Sequence, residues 1–203
     1  MEKTMLFSFF LVALFSKNLF TASSLSVRDT EGHPVQLGVK YYILPFRPGA
    51  GGGLTLATNK GKCPYEIVQI ITEPANGLPV TFSSSNKEDK TVQLNTDLNI
   101  KFTDFQHTTP CPESKVWKFD ASNQQNGALL VTVGGVEGKP GRETLPNWFK
   151  IQKEDNAFYK IQYCPTVCKD CRVICGDIGP VIYDGRKRLA VNESPLGVIF
   201  KKA

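Results

Sequence analysis

Apolar residues along this chain alternate with polar ones in short bursts, and punctuation by Gly, Pro, Asn and Asp follows each burst within a few residues. Alternation with period two over 3–8 residues predicts half-buried β-strands. On that pattern strands are expected at 39–46, 54–56, 67–71, 80–82, 92–94, 98–102, 116–119, 129–133, 148–152, 158–163, 181–183, 189–191 and 198–200. No stretch carries the 3.6-residue period of a helix convincingly. Between the strands sit turn dipeptides of recognisable chemistry: Asn76-Gly77, Asn126-Gly127, Gly134-Gly135 and Asp184-Gly185. The last predicts a two-residue hairpin joining Tyr183 to Arg186. About a dozen short strands at this spacing mean an all-β barrel or sandwich, and the pattern alone leaves both open. Internal repetition is faint, confined to the likeness of Ile100-Lys101-Phe102 and Ile199-Phe200-Lys201.

One apolar run breaks the alternation. Residues 5–15 are almost uniformly apolar, follow Lys3, and lead to the small residues Thr21, Ala22, Ser23 and Ser24. A run this short is the core of a signal peptide and not a bilayer span, so 1–24 is expected to be a cleaved leader and 25–203 the mature domain. A retained anchor is the competing reading, and the lone Lys17 after the run does not make a stop-transfer cluster.

Composition agrees with the pattern. The 13 Pro and 17 Gly in 203 residues argue against long helices, and 41% hydrophobic content fills one core and excludes intrinsic disorder. A net charge of +5, with both signs interspersed, is too mild for a nucleic-acid footprint, and no nucleic-acid or membrane partner is expected after the leader is removed. Arg186-Lys187-Arg188 is the one basic cluster, and in a hairpin its middle residue faces away from the other two.

A secretory route gives the six cysteines a meaning. Cys63, Cys111, Cys164, Cys168, Cys171 and Cys175 are even in number and lie in the mature part, where an oxidising compartment favours disulfides. Four of them cluster between 164 and 175. Two bridges inside the cluster are therefore expected, nested as Cys164 to Cys175 around Cys168 to Cys171, with a third from Cys63 to Cys111. A four-thiolate zinc knot and a Cys168-Lys169-Asp170-Cys171 redox pair are the alternatives, and both need reduced thiols. With all six paired, none is left for an interchain bond, and a monomer without metal or cofactor is expected.

Catalytic constellations are scarce. His33 and His107 stand outside any motif pairing them with a nucleophile or metal, so no enzyme is expected. The run Gly49-Ala50-Gly51-Gly52-Gly53 has the look of a phosphate cradle, but no helix and no Walker lysine follow it, which leaves a flexible surface loop. Trp117 and Trp148 read as core or interface anchors, and the Gln-x-Trp repeats of ricin-type lectins are absent. Asn192-Glu193-Ser194 is a glycosylation sequon followed by Pro195. The polar stretch from Ser83 to Thr91, between two apolar triplets, must be an exposed loop.

Several segments together resemble the plant Kunitz inhibitor family, named for soybean trypsin inhibitor. They are the sequence from Val27 to Val35, Tyr41-Tyr42-Ile43-Leu44-Pro45, Lys62-Cys63-Pro64, Leu98-Asn99-Ile100-Lys101-Phe102, Trp148-Phe149 and Cys175-Gly176-Asp177-Ile178-Gly179. The stretch from Tyr163 to Cys171 and Arg186-Lys187-Arg188-Leu189-Ala190 are similar to its miraculin-like branch. The resemblance implies a β-trefoil of twelve short strands in three pseudo-repeats, stapled by those three disulfides. It also implies a plant protein, secreted or vacuolar, with a defence or storage role. A substrate-like loop is implied too, with the scissile bond between Lys87 and Glu88 and with Ser84, Ser85, Asn86 and Asp89 around it. A trypsin-like serine protease is then the expected partner, since its specificity pocket carries a carboxylate. The family braces this loop with an Asn side chain from the N-terminal segment, and Leu37 stands there instead. A miraculin-like or storage protein that has lost inhibition is the other function the scaffold accommodates.

Overall fold

The structure, a computed structural model, describes residues 25–104, 111–125, 127–154 and 157–203, without the side chains of 123–125. The expected leader 1–24, His107 and Asn126 of one expected turn lie outside the described residues. Twelve strands follow one another: β1 Tyr41–Pro45, β2 Leu54–Asn59, β3 Lys62–Gln69, β4 Val80–Ser84, β5 Leu98–Phe102, β6 Trp117–Gln125, β7 Ala128–Val133, β8 Lys150–Lys153, β9 Tyr159–Tyr163, β10 Gly176–Tyr183, β11 Arg186–Asn192 and β12 Val198–Lys202.

Pairing resolves the choice between barrel and sandwich. β1 pairs with β4 and β12, β4 with β5, β8 with β9, and β9 with β12. The ring closes where Leu98 and Phe149 exchange main-chain hydrogen bonds of 2.8 and 2.9 Å. The other six strands form the hairpins β2/β3, β6/β7 and β10/β11, and these meet in a triangle through β3–β7, β7–β11 and β11–β3 contacts. A six-strand barrel capped by three hairpins, each four-strand unit repeating the last, is the β-trefoil that the resemblance implies.

Period-two patterning explains why the barrel closes on an apolar centre. Aligned across its three two-strand ladders are Ile43 with Phe200, Phe82 with Ile100, and Ile151 with Ile161, all at most 3% exposed. Each unit thus contributes two equivalent apolar positions, Ile43, Ile100 and Ile161 on its first strand and Phe82, Ile151 and Phe200 on its last. Ile100-Lys101-Phe102 lies in the first strand of its unit and Ile199-Phe200-Lys201 in the last, so their likeness is not the repeat. Trp117 and Trp148 are fully buried core residues, Trp117 packing edge-on against Phe149 at 5.7 Å.

Three expectations need correction. The 92–94 segment is not a strand. Val92 is pinned singly, its carbonyl accepting from Val27 N–H at 2.9 Å and its N–H donating to Val35 at 2.8 Å, so the N-terminal segment wraps it without a continuous ladder. A short 3₁₀ turn, Arg142–Asn147, occurs where no helix was expected, and it carries Thr144 to the indole N–H of Trp148 at 3.2 Å. Gly51, Gly52 and Gly53 are buried and not a flexible surface loop: a Cβ on Gly53 would sit 2.1 Å from the Asn76 carbonyl. Gly49 and Gly51 N–H groups donate to the Glu73 carboxylate at 3.3 and 3.1 Å, so the glycine run does cradle an anion, and the anion is its own side chain. The Arg186-Lys187-Arg188 cluster divides by exposure, with Arg186 exposed, Lys187 half-buried and Arg188 buried. Arg188 is 1% exposed, paired with buried Glu66 at 2.5 Å and donating to the Tyr183 carbonyl. The Asp184-Gly185 hairpin forms as expected, with φ of 51° and 71° and Tyr183 paired to Arg186.

Candidate functional site

The connection between β4 and β5 carries the polar stretch singled out in the sequence. Asn86, Lys87 and Glu88 are exposed at its tip, and Ser84, Ser85 and Asp89 are half-buried. Asp89 organises it. Its carboxylate accepts from the Ser84 hydroxyl at 2.6 Å and from the Asn86 amide at 3.0 Å. Asn86 N–H in turn donates to Ser84 Oγ at 3.1 Å, and Glu88 N–H to Asn86 Oδ1 at 3.2 Å. Lys87 and Glu88 occupy the centre of a turn closed by Asp89 N–H donating to the Asn86 carbonyl at 3.3 Å. Among the described residues, neither side chain at the tip makes a hydrogen bond or ion pair.

The flanks are tied independently of that network. Leu37 cannot brace the loop with its side chain, which packs against the core, but its N–H donates to the Lys90 carbonyl at 3.0 Å. On the other flank Ser85 N–H donates to the Asp97 carbonyl at 2.9 Å. At the loop's base the Ser83 hydroxyl donates to Glu137 at 2.5 Å, and Lys101 pairs with the same carboxylate at 3.0 Å. Burial raises the pKa of Glu137, but the hydrogen bonds from Ser83 and Lys101 and the lysine charge outweigh it, so the carboxyl is held below its ordinary value.

Asp97 was not signalled by any motif, and it joins this loop to a second one. Its carboxylate, 5% exposed, accepts Thr166 N–H at 3.1 Å and the Thr166 hydroxyl at 2.6 Å, with Lys150 at 3.9 Å. Thr166 belongs to the β9–β10 connection, which holds Cys164–Cys175 and Cys168–Cys171; the third bridge, Cys63–Cys111, ties the start of β3 to the approach to β6. No cysteine is free. Among the described residues the one cluster of potential metal ligands is Cys63, Cys111 and Glu113, and two of those three are spent on a disulfide. Asn192 is half-buried, its amide donating to the Pro180 carbonyl at 3.1 Å. His33 is exposed beside Glu31 at 3.5 Å.

An exposed lysine on a pinned turn is a shape suited to insertion into another protein's pocket. The chain matches the sequence model of a family described as trypsin and protease inhibitor over residues 27–202. It is 39% identical over 204 residues to Kunitz trypsin inhibitor 5 of Arabidopsis thaliana, with 98% of each chain covered. Miraculin of Synsepalum dulcificum is 41% identical over 184 residues, covering 87% of this chain and 82% of that protein. The Kunitz-type cysteine protease inhibitor PCPI-3 from potato shares the fold with a TM-score of 0.74 at 33% identity, over 88% of this chain and 97% of that one.

Proposed function

Because the chain belongs to the Kunitz family of trypsin and protease inhibitors, whose members are inhibitors and not enzymes, we propose that it blocks a trypsin-like serine endopeptidase. It does so as a secreted or vacuolar monomer, through the β4–β5 loop with Lys87 as the specificity residue and Lys87–Glu88 as the bond presented. The observation that carries this reading is the exposed, unpaired Lys87 on a loop pinned at both flanks by main-chain bonds to Asp97 and Leu37. A cation at that position complements the carboxylate in a trypsin-type specificity pocket, and a pinned loop loses little entropy on docking.

Two local features shape the encounter. The turn must open to present its peptide bond, and the main-chain bond to be broken is the 3.3 Å one from Asp89 to Asn86, worth about 0.5–1.5 kcal/mol. Ser84 and Asn86 orient the Asp89 carboxylate without cancelling its charge, so Asp89 and the exposed Glu88 together present an acidic face to the partner's rim. Inhibition of trypsin by the oxidised protein, measured beside Lys87→Ala, tests the reading. A true anchor loses about 2 kcal/mol, roughly thirtyfold in affinity, and a loss of a few tenths overturns it.

The similarity to Miraculin and the closed turn around Lys87 favour a second reading, a defence or storage protein that keeps the scaffold without inhibition. It expects no inhibition of trypsin, chymotrypsin or subtilisin by wild type.

A further inference from the structure

Residues 171–175 of the β9–β10 connection have the properties of a second substrate-like segment. Both ends are cross-linked, Cys171 to Cys168 and Cys175 to Cys164, with Cα separations of 5.5 and 4.5 Å. The three residues between them form no turn or bend, and among the described residues no hydrogen bond engages Arg172, Val173 or Ile174. No main-chain bond must therefore break before a partner strand can pair with them. Their side chains alternate: Arg172 is exposed, Val173 packs against the core, and Ile174 is 57% exposed. Ile174 is left exposed, as are Leu25, Ile71, Val136 and Ile182, and it stands two positions after an unpaired, exposed arginine. Lys169-Asp170 is a poorer candidate, because it forms a turn inside the Cys168–Cys171 ring.

We propose that Arg172–Val173 is a second protease-docking bond, with Arg172 entering a specificity pocket that carries a carboxylate and Ile174 packing beside it. The segment adds to the protease as an extended strand, pairing through main-chain groups that are unused in the free protein. Topology favours inhibition over consumption. If the protease hydrolyses the bond, water supplies a hydroxyl to the Arg172 carbonyl and a proton to the Val173 amine. Cys164–Cys175 still joins the two pieces, so the new ends stay together and the reverse reaction remains intramolecular. Lys87–Glu88 has the same protection, lying inside Cys63–Cys111. The second site goes beyond the Lys87 reading and does not depend on it.

Binding to trypsin inactivated at its catalytic serine separates the two sites when wild type, Lys87→Ala, Arg172→Ala, the double variant, and Lys87→Ala with Arg172→Lys are compared. Among the described residues neither Lys87 nor Arg172 has a side chain in a hydrogen bond or ion pair, so all five should melt alike. Lys87→Ala is expected to retain saturable binding. Adding Arg172→Ala should weaken that binding by about tenfold or more, and Arg172→Lys should preserve most of it. Prolonged incubation with active trypsin should yield a fragment beginning at Val173 that separates only on reduction. A double variant that binds like Lys87→Ala alone overturns the second site. A Lys87→Ala protein that binds like wild type overturns the first and leaves the second to be decided by Arg172→Ala, and a wild type that does not bind overturns both.

Discussion

The β4–β5 loop and the β9–β10 loop hang from one residue and are held by different chemistry. Ser85 donates to the main-chain carbonyl of Asp97, and Thr166 donates twice to its carboxylate. Beyond that shared strut, the first loop is organised by hydrogen bonds of Ser84, Asn86 and Asp89, each worth about 0.5–1.5 kcal/mol. The second is organised by two disulfides. The difference teaches that limiting the freedom of an exposed segment does not require a particular residue. Leu37 supplies no side-chain brace, yet main-chain bonds and an internal carboxylate do the pinning.

Cross-links should give the largest effects, in an order set by the length of chain each closes. Cys63–Cys111 spans 48 residues and the whole first loop, whereas Cys168–Cys171 spans 3. The chain-entropy relation assigns about 4 kcal/mol to the former and under about 2 kcal/mol to the latter. Denaturant unfolding of the two double Cys→Ser variants measures both, and equal losses would count against entropy as the source. Next in size is Asp97→Ala, which leaves Thr166 N–H without its acceptor and Lys150 without its neighbour, at about 2 kcal/mol. Amide exchange should then rise in the β9–β10 loop, whose Thr166 loses its acceptor, and stay low at Ser85, whose acceptor is the Asp97 main-chain carbonyl. A rise in both loops would show that the carboxylate also fixes the Asp97 backbone.

How much of this was legible in the sequence depended on range. Local signals read well: Leu98–Phe102 has the expected bounds, and Asp184-Gly185 makes the expected hairpin. Strands elsewhere run longer than their apolar cores, as in β6 and β10, because main-chain pairing continues through polar residues that periodicity does not mark. Misreadings arose where the partner is distant in sequence. The Arg188–Glu66 pair went unseen because its members lie 122 residues apart, and the glycine run seemed loose because the segment it touches, 70–76, is a separate stretch of chain. Asp97 escaped notice for the same reason, its ligand Thr166 being 69 positions on. Arg172 was visible, but the surrounding cysteines read only as staples.

The smallest expected effect is the one that separates the loops by pH. Glu137 clamps the base of the first loop through Ser83 and Lys101 and makes no contact with the second among the described residues. Burial alone would raise its pKa, but the two hydrogen bonds and the lysine charge prevail and lower it. A carboxyl whose folded pKa lies below its unfolded one stabilises the folded state at neutral pH, and that contribution fades as the pH falls through the ordinary carboxylate range to the depressed folded value. Wild type and Glu137→Gln should therefore differ most in melting temperature near neutrality and converge in acid. Protection against amide exchange, taken relative to the intrinsic rate at each pH, should fall at 83–91 over the same interval while that at 172–174, clamped by disulfides that do not titrate, stays unchanged. A difference between the two proteins that persists undiminished below the carboxylate range would mean that the Ser83 contact holds the base through packing, not charge.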